Sequence, residues 1–448
     1  MRQLLTLVTG ILAVTTVTTL AGHWGEDIDY LFTSKGNDTA FEKLVEDSTW
    51  DGELGLQFRS ENPDTGEEGS AGWGYFQFGW ESGYLDLMRS GEDKSGLQLG
   101  VGGVAVLEAW EKHAFEGVFS DSGDFADEAK WTSLYMKYSV PGTKTHFIVG
   151  RAQDDMFGEP ASGDGDYYQG FGITIADIPR IEIKASVVNE WLDNASASWD
   201  LDGIQDEWQS MDDVVRDETG VDKDAGRFAY TLMTEIEAVR DFVTVTPYVQ
   251  HHSDVATSYG LSFNAERPVN ESLTLGLDGA YSKHMEDTSN AAGPNDGDVS
   301  QTMLHAYGKV RNFNLGFGYY TISDDAPLFN NSSNGDDFEA VFVMDEFDPM
   351  EEDLAKYGEQ QGNDTLFVDA GYEHGPVSLD VVYGWTDNAI IEGGAVNKGN
   401  ARELDVVLGV DLIRNLKGEL AYVTLQDGYT ADGDRSMDMF AGALSYNF

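Results

Sequence analysis

The chain contains no cysteine. That excludes a disulfide framework, a thiolate metal site and a cysteine nucleophile. Basic residues are scarce: 27 Lys and Arg stand against 80 Asp and Glu, a formal charge of -53. Nucleic-acid binding, which needs a basic footprint, is therefore not expected, and neither is a polybasic membrane anchor. No apolar run approaches the roughly 20 residues of a spanning helix. Aromatic residues, at 12%, are too many for a disordered acidic chain. No nucleophile motif of the G-x-S-x-G type occurs, and no enzyme activity is expected.

What is present begins with a targeting segment. Arg2 forms a minimal positive region, Leu4 to Val17 an apolar one, and Thr19-Leu20-Ala21 a small-residue cleavage site. Residues 1–21 read as a secretory signal, 22–49 as a periplasmic N-terminal segment, and 50–448 as the folded domain.

Period-two alternation dominates that domain. Ile181, Ile183, Ala185 and Val187 alternate with Arg180, Glu182, Lys184 and Ser186. Leu404, Val406, Leu408, Val410 and Leu412 alternate with Asp405, Val407, Gly409 and Asp411. Leu273, Leu275 and Leu277 do so with Thr274, Gly276 and Asp278, and Phe313, Leu315, Phe317 and Tyr319 with Asn314, Gly316, Gly318 and Tyr320. Segments of about ten residues with one apolar face suit tilted bilayer-crossing strands.

Connections sort into two kinds. The short ones are Pro141 to Lys144, Asp177 to Pro179, Val239 to Asp241, Arg267 to Glu271, Arg311-Asn312, His374 to Pro376 and Arg414 to Lys417. Between them lie long acidic stretches: Asp154 to Asp166, Leu192 to Gly226, Lys283 to Ser300, Ser323 to Asp364, Asp387 to Arg402 and Gln426 to Met437. Short periplasmic turns and long external loops mark an outer-membrane barrel. The fold predicted is all-β, a transmembrane antiparallel barrel of about eighteen strands. It falls to about sixteen if the strands near Gly72 and Gly96 are miscounted. The last strand ends Tyr446-Asn447-Phe448, and a terminal aromatic on an alternating strand suits an assembly signal carried by Tyr446 and Phe448.

Three stretches resemble OprD-like outer-membrane porins. They are Phe41 to Ser48 running into Gly52 to Arg59; Trp73-Gly74-Tyr75-Phe76-Gln77-Phe78-Gly79-Trp80-Glu81-Ser82-Gly83 followed by Gly96 to Gly103; and the hairpin Lys130 to Arg151, its loop, and Tyr168-Gln169-Gly170-Phe171. The resemblance covers about residues 41–191. It implies an eighteen-stranded barrel in the bacterial outer membrane that passes small hydrophilic solutes. It also implies an inward loop at Ala152 to Asp166 that narrows the pore, with Asp154, Asp155, Glu159, Asp164 and Asp166 on it.

Such porins often carry an Arg and Lys ladder. Here alternation turns Arg59, Lys137, Arg180, Lys184 and Lys309 inward, but also Glu53, Glu182, Glu235, Asp278, Asp369, Asp380, Asp405, Asp411 and Glu419. Arg151 is ambiguous, because Phe147 and Val149 share its face. The acid excess predicts cation preference. The basic residues either form a stripe opposite an acidic wall or pair with neighbouring carboxylates.

Trp80, Tyr138, Trp191, Tyr281, Tyr372, Trp385 and Tyr446 suit interfacial girdles, whereas Tyr75, Tyr135, Tyr307 and Tyr320 point inward, where they could stack sugars. No cofactor is expected. The Asp/Asn/Gly turns at 163–166, 200–203, 295–298, 334–337 and 427–434 offer oxygens of the kind Ca2+ takes, but none has EF-hand spacing. The partners expected are outer-membrane lipids, the outer-membrane assembly machinery and small hydrophilic solutes; a homotrimer and a monomer both fit the pattern. The alternatives are a structural or adhesive barrel with a closed lumen, or a barrel enzyme using His252 with Asp254, His284 with Asp287, or His305.

Overall fold

The structure, a computed structural model, describes residues 45, 47–63, 69–85, 95–112, 128–153, 156–158, 167–192, 208–210, 228–239, 242–253, 256–286, 299–323, 364–392, 395–427 and 435–448. The signal segment, most of the N-terminal stretch that follows it (up to residue 44) and all five acids of Ala152 to Asp166 lie outside these residues, as do Asp254 and Asp287.

Strands account for nearly all of what is described. In chain order they are β1 (Thr49–Pro63), β2 (Gly69–Glu81), β3 (Gly96–Lys112), β4 (Glu128–Ser139), β5 (His146–Gln153), β6 (Tyr167–Ile178), β7 (Ile181–Leu192), β8 (Gln209–Ser210), β9 (Ala229–Val239) and β10 (Val243–His252). Then come β11 (Ala256–Asn270), β12 (Leu273–Glu286), β13 (Val299–Val310), β14 (Phe313–Ile322), β15 (Asp364–His374), β16 (Val377–Glu392), β17 (Ala395–Ile413), β18 (Leu416–Asp427) and β19 (Arg435–Asn447). Apart from β8, each pairs antiparallel with the next strand along the chain. β19 returns to β1, from Glu53↔Asn447 to Pro63↔Met437. β8 adds two pairs to the tip of β7, while β7 pairs with β9 along Ile181 to Val188. The ring is thus a closed antiparallel barrel of eighteen strands, with β8 outside the count. Closure leaves no open edge, so backbone groups are satisfied without water.

The alternation read from sequence sorts the two faces. Phe313, Leu315 and Phe317 are exposed on the outside; Gly316, Gly318 and Tyr320 are buried on the inside. Leu54, Leu56, Leu134, Met136, Leu275, Leu277, Phe440 and Leu444 continue the apolar outer surface round the ring. The inner face carries Gln57, Gln98, Thr174, Thr231, Gln250, Ser258 and Gln301. A closed barrel with an apolar outside and a polar inside is built to sit in a bilayer.

Three expectations are corrected. Asp387 to Arg402 is mostly hairpin: β16 and β17 stay paired out to Glu392↔Ala395. Arg180 is not on a strand; it sits exposed in the tight turn before β7 with φ 69°, so it is not part of the wall. Gln169↔Glu190 is followed by Gly170↔Val188, so Asn189 is an extra residue in β7. That bulge reverses the alternation. Trp191 therefore packs against the inner cluster of Tyr168 and Val188, not in an outer girdle. Arg151, ambiguous from the sequence, and Glu190 fall on the outward row of Gln169.

Candidate functional site

The lumen wall is where this fold places its charge. Lys137 on β4 faces inward, 3.8 Å from Glu81 of β2. Tyr135 donates its hydroxyl to the same Glu81 at 2.9 Å, and Gln98 Nε2 donates to it at 2.8 Å. The arrangement recurs across the barrel. Lys309 on β13 donates to Glu266 of β11 at 2.7 Å, and Tyr307 donates to it at 3.0 Å. Both sites use Tyr-x-Lys on one strand and Glu two strands back. Two donors on one carboxylate hold it in place, and the lysine offsets its charge.

Each tyrosine ring lies over a glycine of the adjacent strand. A Cβ on Gly100 would meet the Tyr135 ring at 2.1 Å, and one on Gly276 would meet Tyr307 at 2.0 Å. Tyr75 covers Gly55 in the same way and donates to Glu53. The rings are thus laid flat on the wall with their hydroxyls engaged. Such rings brace the wall; they do not stand free as sugar-stacking platforms. Tyr320 is buried.

A third cluster centres on His305 of β13. Its Nε2 lies 2.8 Å from Asp369 of β15, and its Nδ1 3.8 Å from Asp278 of β12. Asn264 donates to Asp278 at 2.6 Å. β14 stands between His305 and Asp369, and it offers only Gly316 and Gly318 at that level. A Cβ on Gly316 would come within 2.0 Å of Asp369 Oδ1 and 2.2 Å of His305 Nε2. The pair of glycines lets side chains meet across a strand. The visible signal was there: His305 on the inward parity, and Gly316 and Gly318 inward on the next strand.

The remaining predicted residues sort as follows. Lys184 faces inward, 3.9 Å from Glu182. Glu182 and Glu235 are register partners, like charges side by side. Asp380 leans over Gly371 beside Asn314. Asp405 faces inward but is buried, as is Glu403. Glu419 pairs with Gly409, and Asp411 with Lys417. Arg59 pairs in register with Ala441, and its side chain lies outside what is described. Arg151 is on the other surface: it bonds Gln169 and Glu190 and stacks under Trp208, 4.2 Å from the ring centroid. Trp208 in turn donates to the Trp131 carbonyl and packs against the buried Tyr167 and Leu192, so the β8 segment is pinned between β4 and β6. Sequence reasoning missed Glu81, Glu266 and Trp208.

Of the inward loop, Met156 to Gly158 is described. Phe157 is buried among Tyr135, Ile148, Tyr168 and Val188. Gly158, at φ 77°, lies so close to Lys184 that a Cβ would stand 3.0 Å from the lysine Cβ. These residues sit inside the barrel, against β5 to β7. Among the described residues no His/Cys/Asp/Glu group has metal-binding geometry. Tyr446 and Phe448 are exposed on the outer face. The Phe448 amide donates to the Gly52 carbonyl at 3.0 Å, and its ring stacks on Phe76 with centroids 6.1 Å apart.

No protein-family model matches the chain, and no curated protein matches it. Solved structures do. OpdK of Pseudomonas aeruginosa, in a structure with vanillate, is 16% identical with a TM-score of 0.66, covering 90% of this chain and 99% of its own. OpdQ of the same organism is 13% identical with a TM-score of 0.68, covering 90% and 99%. OpdG, also called OccK9, is 15% identical with a TM-score of 0.68, covering 91% and 100%. The fold is that of the OprD-like porins.

Proposed function

We propose that the chain is an outer-membrane porin, a passive diffusion channel for small hydrophilic solutes or ions with a preference for cations. No cofactor or energy source enters this reading. The observation that carries it is the sign of the inner wall from β15 to β18. Asp369, Glu373, Asp380, Glu403, Asp405, Asp411 and Glu419 occupy inward positions there, against Lys417 as the one inward base among the described side chains. The inward bases of the opposite wall, Lys137 and Lys184, lie beside Glu81 and Glu182. Pairing cancels the bases locally and leaves the acids in excess. A wet lumen with low-dielectric walls of one sign enriches counter-ions.

The acids of the inward loop, Asp154, Asp155, Glu159, Asp164 and Asp166, would add to the same field at the narrowest point. Outer-membrane lipids are the surroundings in this reading, and Tyr446 and Phe448 the terminal signal for the assembly machinery. Vanillate, the molecule in the OpdK structure, is an aromatic carboxylate, which an acid wall would disfavour.

One observation favours a second reading, a structural or adhesive barrel with a closed lumen. In the half toward the long loops, inward Tyr320, Thr365, Glu403, Asp405 and Met439 are all buried. Single-channel recording of the refolded chain in a planar bilayer under a KCl gradient separates the two. Stable steps with cation-selective reversal support the first reading, and a folded barrel without conductance supports the second. Replacing Asp154, Asp155 and Asp164 with Asn should lower the selectivity; an unchanged value would remove Ala152 to Asp166 from the constriction.

A further inference from the structure

We propose that His305 is a specificity-determining residue of this channel, a built-in counter-cation whose charge state sets how much of the Asp278 and Asp369 charge the lumen displays. The inference rests on the channel reading above.

The geometry is specific. The imidazole sits between two carboxylates from two other strands, with Nε2 at 2.8 Å from Asp369 and Nδ1 at 3.8 Å from Asp278. It is not a chance surface contact. Tyr307 stacks on the ring at a centroid distance of 5.3 Å, and Phe367 lies 5.4 Å away on the next level. Phe367 is itself laid over Gly318, and Gly316 leaves the gap through which His305 reaches Asp369. His305, Asp278 and Asp369 each keep between a fifth and a third of their side chain open to the lumen. The cluster is held rigidly and still senses ions in the pore.

The charge arithmetic follows from the three groups. With the imidazole protonated the cluster carries about -1; with it neutral, about -2. Among the described residues no other group facing the cluster offsets that step. Asn264 on β11 is neutral, and Glu266 on β11 is tied to Lys309 and Tyr307 of β13. β14 contributes glycines and Asn314, β15 only Asp369 and Phe367, and β16 the further carboxylate Asp380. Cation preference should therefore rise with pH as His305 loses its proton, and the same residue should compete with a permeating cation for the two carboxylates.

The test is the reversal potential of single channels in a KCl gradient, scanned from about pH 5 to 10, for the wild type, His305→Gln, His305→Lys and His146→Gln. His305→Gln should hold the high-pH selectivity throughout, and His305→Lys the low-pH selectivity. His146→Gln, at another inward histidine, should keep the wild-type step. The expected size is on the order of a twofold change in the K+ to Cl- permeability ratio, since lumen charges act through potentials of several kT at most. If His305→Gln does not assemble, His305→Lys and Asp369→Asn carry the test. Asp369→Asn should lower cation preference most at low pH, where the cluster would be left neutral. Conducting channels in which every variant follows the wild-type profile would overturn the inference and leave the channel reading intact. A folded barrel with no conductance would overturn the channel reading and the inference with it.

Discussion

Tyr307 lies across Gly276 of the neighbouring strand so closely that a single added carbon would stand 2.0 Å from its ring. The phenol reaches Glu266 only because that strip of wall is bare. Gly276→Val should therefore lift the ring and break the Glu266 contact, at a cost of about 1–3 kcal/mol, the usual range for overpacking a fitted site. The urea midpoint of the barrel in detergent micelles reports it. A midpoint equal to wild type would mean the ring has room to move.

Glu266 balances Lys309. Glu266→Gln keeps an acceptor for Tyr307 and removes the charge, which exposes an uncompensated ammonium to the lumen. Cation preference should fall, on the order of twofold, because a unit charge a few ångströms from a permeating ion is worth about 1 kcal/mol in water before screening. The effect should shrink in high salt. Equal selectivity for the variant and the wild type at low salt would place Lys309 away from the ion path.

Arg151 and Lys184 make a contrasting pair. Both come from the N-terminal half, yet Arg151 lies on the outward row under Trp208 and Lys184 on the inward row beside Gly158. Lys184→Gln should raise cation preference; Arg151→Gln should leave it unchanged and lower stability instead, through the lost Glu190 bond and the Trp208 stack. A selectivity change in the Arg151 variant would contradict the face assignment.

Phe448 closes the seam between β1 and β19. Its ring packs over Gly52 and stacks on Phe76. Phe448→Ala should cost about 1–2 kcal/mol, from partial loss of apolar burial and of one aromatic pair. Deleting the residue should also slow insertion into the outer membrane while leaving secretion intact. Wild-type insertion of the deleted form would count against an assembly role.

The sequence by itself determined the strands and their faces. Alternation is a local property with a period of two, so Leu273 to Asp278 and Phe313 to Tyr320 showed their outward and inward sides without reference to any partner. Chain-neighbour pairing, turn placement and ring size followed from the rhythm of short and long connections. The tertiary structure decided three other things. It decided where alternation breaks: the extra residue Asn189 moved Trp191 inward and Glu190 outward, and a bulge leaves no fixed mark in a run such as Val187-Val188-Asn189. It decided which long stretches are loops, since Asp387 to Arg402 continues as a paired hairpin. Above all it decided which charges meet. Glu81 finds Tyr135 and Lys137, and His305 finds Asp369, by reaching across an intervening strand whose glycines give way. Those contacts depend on register and on empty space two strands away. Neither is encoded in the residues that make the contact, so the candidate site appears only when the ring is closed.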